Sequence, residues 1–307
     1  MHLDSLGRRH RTKSQPLGAR IELSDRDVRL INALRRHNPL PTPLAYYFWR
    51  GDASAHYNSF QDRMKKLFHG ASGTGPLLTR PEELNPRHGP NPEPAWYELS
   101  DLGERIAWDA TSAPRVLKRD PRHHRAMGGC ITASFEILAP QHGLSFVHHE
   151  DIFLHPKCPR STREALNPIH VDGYEPDALF GLRHVDTKRA YFFVGEWDRG
   201  TESFVREDKL QNSILQKIDK LTRIFAGRLY DDVWGIPNLR ALFVFTSERR
   251  IATALRHLDG HPLADRFLFR ALPDFSRFAW RAPRAPIEAL FLPWRVSPER
   301  RAISLVG

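Results

Sequence analysis

Two cysteines, Cys130 and Cys158, are all that the chain contains. So low a number excludes a disulfide framework and any paired-cysteine zinc knuckle, and it fits a reducing cytoplasm. No apolar run approaches the roughly 18 residues needed to span a bilayer. The N-terminus is basic but has no apolar core behind it, so it does not read as a secretory signal. Histidines are available at His123, His124, His148, His149 and His155, but without an HExxH pattern or a confident helical pair of zinc ligands. Internal repeats, low-complexity tracts and coiled-coil heptads are also missing. The expectation is a soluble cytoplasmic protein with no membrane partner.

What is present is positive charge. Lys and Arg number 46 against 36 Asp and Glu, a net charge of +10 to which arginine contributes most. An excess of this size favours a polyanionic partner, DNA or RNA before a membrane surface. At 307 residues, with 40% hydrophobic and 27% charged residues, the chain has room for two globular domains, and its 24 prolines imply several long connections.

Residues 1–20 carry Arg8, Arg9, Arg11, Lys13 and Arg20 against one acid, Asp4, and read as a flexible basic arm. Ser24-Asp25-Arg26-Asp27 is a helix start with acids in its first turn, followed by an apolar stripe at Val28, Ile31 and Leu34. Asn38-Pro39 stops that helix, and Pro41-Thr42-Pro43 opens a second one through Phe48. A third runs from about Ala53 to His69 with Tyr57, Phe60, Met64, Leu67 and Phe68 inward. Pro76–Thr79 and Ala95–Leu99 then read as two strands around a proline-rich loop at 81–94, and Ser100 caps a closing helix. Three short helices and a hairpin make a winged helix-turn-helix whose third helix is expected to enter the major groove of double-stranded DNA. In that domain Asn58, Gln61 and Arg63 are the expected base-edge contacts. Lys65, Lys66, Arg80 and Arg87 are the expected phosphate contacts.

The second half is organised around residues 174–226. Ala178–Leu182 and Ala190–Asp198 are rich in aromatic and β-branched residues and are separated by a polar turn, the pattern of a β-hairpin. Asp177 stands at the mouth of the first strand. Glu196 and Asp198 end the second and share one face, because strand side chains alternate. The hairpin brings Asp177 near Glu196, and carboxylates gathered this closely call for a cation or a proton. A long amphipathic segment follows, with Ile214, Ile218, Leu221 and Phe225 at helical spacing and Lys209, Lys217, Lys220 and Arg223 among its polar positions. Upstream lie a helix over Ala126–Leu138 that carries Glu136 and a strand at Leu144–Val147. Downstream, the strand at Ala241–Thr246, the helix from Ser247 and the strand at Phe267–Ala271 imply parallel crossovers. The fold class is therefore α/β (α+β overall), with a mixed sheet flanked by helices.

Pro176-Asp177, the following strand and Glu196-x-Asp198 resemble the PD-(D/E)xK nuclease core of restriction endonucleases. With Arg199-Gly200-Thr201-Glu202 and Lys209-Leu210, the pattern is similar to the plasmid replication-relaxation family, which pairs a winged helix with a nuclease-like domain and occurs on mobile elements. The resemblance implies a Mg²⁺ site on Asp177 and Glu196, with Glu136 on the preceding helix as a further ligand. It also implies phosphodiester hydrolysis by Asp177, Glu196, Asp198 and Lys209. The chain departs from the motif at Asp198, where the nuclease pattern has the lysine that positions the attacking water, and Lys209 is the expected substitute. The resulting expectation is an arm at 1–20, a winged helix at 21–109, a linker at 110–121 and a nuclease-like domain at 122–307. The function would be that of a DNA-binding endonuclease or nickase of a plasmid. The alternative is a transcriptional regulator or replication accessory factor that uses an inactive nuclease fold for dimerisation or partner binding. An RNA-binding factor has less behind it, since no RNP-like strand or GxxG clamp appears. A homodimer is ordinary for a winged helix, although nothing in the heptad pattern argues for one.

Overall fold

The computed structural model describes residues 13–16, 21–51, 54–85, 93–116, 120–200, 213–277, 280–296 and 302–306. Its contacts divide the chain into two units.

The first unit contains α1 (Asp25–Arg36), β1 (Leu40–Pro41), α2 (Thr42–Arg50), α3 (Tyr57–His69), β2 (Leu78–Thr79), β3 (Trp96–Leu99), α4 (Asp101–Asp109) and most of α5 (Arg122–Leu138). Ser24 starts α1 with a capping box. Its Oγ accepts from the Asp27 N–H, and the Asp27 carboxylate accepts from the Ser24 N–H at 2.8 Å. Strands β1, β3 and β2 form a small antiparallel sheet in that order, so the winged-helix plan gains a strand that proline-rich residues 39–43 concealed. Two expected core positions turn outward: Val28 is 44% exposed and Tyr57 39% exposed. Buried Leu30, Ile31 and Leu34 carry the apolar face of α1 instead.

The boundary between the units also differs from the expected one. Residues 120–137 and 282–287 join the first unit. Helix α5 reaches α1 through Gly129, where a Cβ would lie 2.4 Å from the His37 carbonyl oxygen. Thr132 and Glu136, on the same helix, hydrogen-bond the two ring nitrogens of His37 at 2.8 and 2.6 Å.

The second unit is built on β4 (Leu144–His148), β5 (Ala178–His184), β6 (Ala190–Asp198), β7 (Arg240–Phe245), β8 (Phe267–Ala271), β9 (Trp294–Arg295) and β10 (Ala302–Ile303). These form one seven-stranded mixed sheet in the order β10-β9-β8-β7-β6-β5-β4. The pairs β6–β7 and β7–β8 are parallel, and the remaining pairs are antiparallel. Helices α6 (His149–Leu154), α7 (Arg160–Arg163), α8 (Ile214–Ala226), α9 (Leu229–Trp234) and α10 (Glu248–His257) complete it. Ile214, Ile218, Leu221 and Phe225 of α8 and Ile251 and Leu255 of α10 pack in one core with Leu179, Val194, Phe243 and Phe245 of the sheet. Burial of each large side chain there contributes roughly 2 kcal/mol. Side-chain alternation places Glu196 and Asp198 on the face of β6 that also carries Val194, beside the helices. On the opposite face Trp197 lies over Gly195, where a Cβ would meet its ring at 2.2 Å.

Among the described residues no helix is long and apolar enough to cross a membrane.

The close approach of α5 to α1 makes a test of the revised boundary. Gly129→Ala is expected to lower the unfolding free energy by about 1–3 kcal/mol, the usual cost of overpacking, in denaturant titration. Unchanged stability would contradict the packing described.

Candidate carboxylate site and nucleic-acid face

Register builds the site. Ala178 pairs with Gly195, so one step further along the antiparallel ladder Asp177 stands across from Glu196. Glu196 is 2% exposed. The Tyr174 hydroxyl donates to its Oε1, and the Lys217 ammonium lies 2.8 Å from its Oε2. Asp177 is half-buried, and its Oδ2 accepts the Trp197 backbone N–H at 2.6 Å. Burial pushes the Glu196 carboxyl up to about 7; Lys217 opposes that rise, and the Asp177 charge adds to it.

Lys217 reaches Glu196 because the start of α8 is fixed. Ser213 Oγ accepts from the Gln216 N–H at 3.3 Å, and the Gln216 side chain accepts from the Ser213 N–H at 2.9 Å. This capping box leaves Lys217 near the first turn, next to the strand ends. A cation at a helix N-terminus opposes the helix dipole, and the buried carboxylate compensates for it.

Asp198, 5% exposed, shares the face of Glu196 but has other partners. Its Oδ2 pairs with the Arg250 guanidinium of α10, and its Oδ1 accepts the Gly200 N–H at 2.9 Å. It is therefore held as an arginine-paired turn residue, and the lysine that does meet the carboxylates is Lys217. Lys209, the expected lysine, lies outside the described residues. Glu136 is not gathered into this cluster. It belongs to the first unit, where His37 Nε2 lies 2.6 Å away and Arg36 3.8 Å away. Burial raises its carboxyl, but the His37 hydrogen bond and the nearby charges of His37 and Arg36 outweigh that and hold it below its ordinary value. The reason is topological: α5 packs on α1, so its acid serves that contact.

Asp177 and Glu196 fit a hard divalent cation. They are two oxygen-donor carboxylates on neighbouring strands, and one is driven toward its protonated form by burial and by the other's charge. A different cluster, His148, His149 and Glu150, brings one ligand atom from each residue within 4.8 Å of the others. Its geometry already has a structural use. His148 caps α6, accepting the Glu150 N–H at 3.3 Å on Nδ1, while Asp151 accepts the His148 N–H at 3.1 Å.

In the first unit Asn58, Gln61, Lys65 and Lys66 are exposed on α3. Gln61 and Lys65 border a cavity of about 640 Å³ whose walls include Tyr46, Tyr47, Tyr57 and Tyr97. Arg80 also borders it, stacked over Phe68 and Tyr97 and donating to the Tyr97 hydroxyl. Arg63 departs from the expected base-reading role. Its Nε and Nη2 bind the fully buried Asp27 carboxylate at 3.0 and 2.7 Å, and Nη2 also donates to the Glu22 carbonyl. Burial raises the Asp27 carboxyl, yet the Arg63 and Ser24 hydrogen bonds and the Arg63 charge prevail and lower it. Arg63 therefore neutralises an internal acid. Arg87 lies outside the described residues, as do Arg8, Arg9, Arg11 and Arg20 of the basic arm.

A pH prediction follows from Glu196. With its folded carboxyl near 7 and an ordinary value of 4.5, the folded state binds the extra proton between those values. Its contribution to stability is complete below about 4.5 and is lost as pH rises through about 7. Glu196→Gln is expected to flatten that part of the pH dependence of the thermal midpoint. Parallel wild-type and variant curves would contradict it. Comparison with known proteins finds no matching family model, no matching curated protein and no matching solved structure.

Proposed function

We propose that the chain is a DNA-binding protein whose second unit is a metal-dependent phosphodiesterase of the PD-(D/E)xK type, acting as an endonuclease or nickase. The observation that carries this reading is the placement of Asp177, Glu196 and Lys217 together at one end of the sheet. Asp177 and Glu196 would hold Mg²⁺. When bound, it supplies Lewis-acid stabilisation of the developing phosphate charge and lowers the pKa of water. The side chains do the rest. Tyr174 and Lys217 fix the orientation of the Glu196 carboxylate. The Lys217 ammonium lies where it can hold a water or share charge on a phosphoryl oxygen. The Trp197 N–H locks one oxygen of Asp177 and leaves the carboxylate's aim fixed by the backbone.

The first unit supports recognition of duplex DNA. A basic, exposed α3, a three-stranded wing and an aromatic cavity bordered by Lys65 and Arg80 supply phosphate contacts and flat stacking surfaces. Origin on a plasmid or other mobile element, and a part in replication, belong to the same proposal and rest on the motif of residues 176–210.

A non-enzymatic regulator is the second reading, favoured by one observation. Asp198 occupies the expected lysine position and is tied to Arg250. Plasmid nicking separates the two. The enzyme reading expects cleavage of supercoiled plasmid with Mg²⁺ or Mn²⁺. That cleavage should disappear in Asp177→Ala plus Glu196→Ala and fall by roughly a hundredfold or more in Lys217→Met, the size of loss typical for one electrostatic group. Absence of metal-dependent nicking in the wild type favours the regulator.

Duplex binding is tested on its own. Lys65→Ala plus Lys66→Ala should weaken binding to all sequences and reduce the salt slope by about 2, one per phosphate contact. Asn58→Ala should cost about 1–3 kcal/mol on the preferred sequence only. A salt slope unchanged by the lysine variants removes α3 from the interface.

A further inference from the structure

A second chemistry-bearing feature of the sheet unit lies at the carboxyl ends of β6 and β7. There a cavity of about 470 Å³ is walled by Arg199, Arg249, Arg250 and Arg277 with the hydroxyls of Thr246 and Ser247. None of the described residues that line it is acidic. Four guanidiniums around one concavity repel each other as carboxylates do. Asp198 pairs with Arg250.

Two local features suit an anion at this cavity. Ser247, the N-cap of α10, makes no capping bond with its side chain, so the hydroxyl and the first-turn amides of a ten-residue helix face the cavity end of that helix. The Nε of Arg199 is buried and has no hydrogen-bond partner among the described residues, while its guanidinium stacks on Trp280 at 5.1 Å. Stacking fixes the plane of the guanidinium and leaves its edge as a donor. The position suits a ligand as well. Sites in sheets with parallel strands collect at the strands' carboxyl ends, and Arg199 follows directly on Asp198, two residues beyond Glu196.

We infer that this arginine-lined cavity binds a phosphate group of a nucleic-acid strand. Guanidiniums suit phosphate through paired N–H donors. Among the described residues the lining offers no aromatic side chain on which a base would stack, so the backbone or a terminal phosphate is the recognised part. The identity of the strand rests on the function proposed above; affinity for phosphate does not. Terminal and internal phosphates share this chemistry, and so does free phosphate.

The test is calorimetric titration of the full chain at fixed ionic strength without divalent metal. The probes are inorganic phosphate, a 5′-phosphorylated single-stranded octamer and the same octamer with a 5′-hydroxyl. Saturable phosphate binding is expected, weakened at least tenfold in Arg249→Ala plus Arg277→Ala and partly restored in Arg249→Lys plus Arg277→Lys. Both arginines are exposed on the rim, so the variants should keep the wild-type thermal midpoint. Arg183→Ala plus Arg189→Ala, at the hairpin turn, should bind phosphate as the wild type does. A preference for the phosphorylated octamer that the rim variants abolish assigns the cavity to a strand end, and equal loss for both octamers assigns it to internal phosphates. Octamer affinity untouched by the variants overturns the strand assignment. Phosphate binding that is absent, or indifferent to the rim arginines, overturns the site itself. Because no metal is present and no cleavage is read, an inactive carboxylate site leaves these outcomes unaffected.

Discussion

The buried pair of Glu196 and Lys217 is the interaction on which the second unit's site depends. A carboxylate 2% exposed would be strongly disfavoured without a compensating charge. The fold supplies one from α8, whose capping box sets the helix start so that Lys217 reaches across 2.8 Å. The hydrophobic face of the same helix fills the core beneath the sheet. The apolar stripe at Ile214, Ile218, Leu221 and Phe225 therefore positions a charge as well as burying area. Asp177, just before β5 and opposite Glu196, brings a second carboxylate whose charge raises the Glu196 carboxyl further.

A common pattern links the carboxylates to the arginine cavity beside them. Helices α8 and α10 both carry cations near their N-terminal turns: Lys217 on the first, Arg249 and Arg250 on the second. Helix dipoles disfavour such placement by about 0.3–1 kcal/mol for an exposed charge. Two of these cations face buried acids of β6, Glu196 and Asp198. Arg249 has no acid among the described residues lining its cavity. Buried acids and helix-borne cations thus stand side by side at this end of the sheet.

Much of this was legible in the sequence where periodicity is short. The two strands of the hairpin and the shared face of Glu196 and Asp198 follow from strict alternation, and the three-helix head follows from Ser24, the prolines and the apolar spacing. What escaped depended on packing between distant segments. The place of Glu136 on a helix before the sheet suggests a metal ligand. The contacts of Gly129, Thr132 and Glu136 with His37 show that this helix belongs to the first unit. Helical periodicity puts Arg63 on the outward arc of α3 and suggests a base contact, whereas its buried partner Asp27 is 36 residues away in sequence. Lys217 was visible only as one polar position among several. The signal that could have singled it out was a lysine just after Ser213-x-x-Gln216, against the dipole of a helix without acids in its first turn.

The most direct test of the account is a double-mutant cycle on this ion pair, measured by denaturant unfolding at pH 8 with Lys217→Met, Glu196→Gln and the double variant. The account predicts that Lys217→Met alone costs about 3 kcal/mol or more, because it leaves a buried carboxylate uncompensated, and that adding Glu196→Gln recovers at least about 1 kcal/mol of it. Strictly additive effects, or a Lys217→Met variant as stable as the wild type, would contradict it.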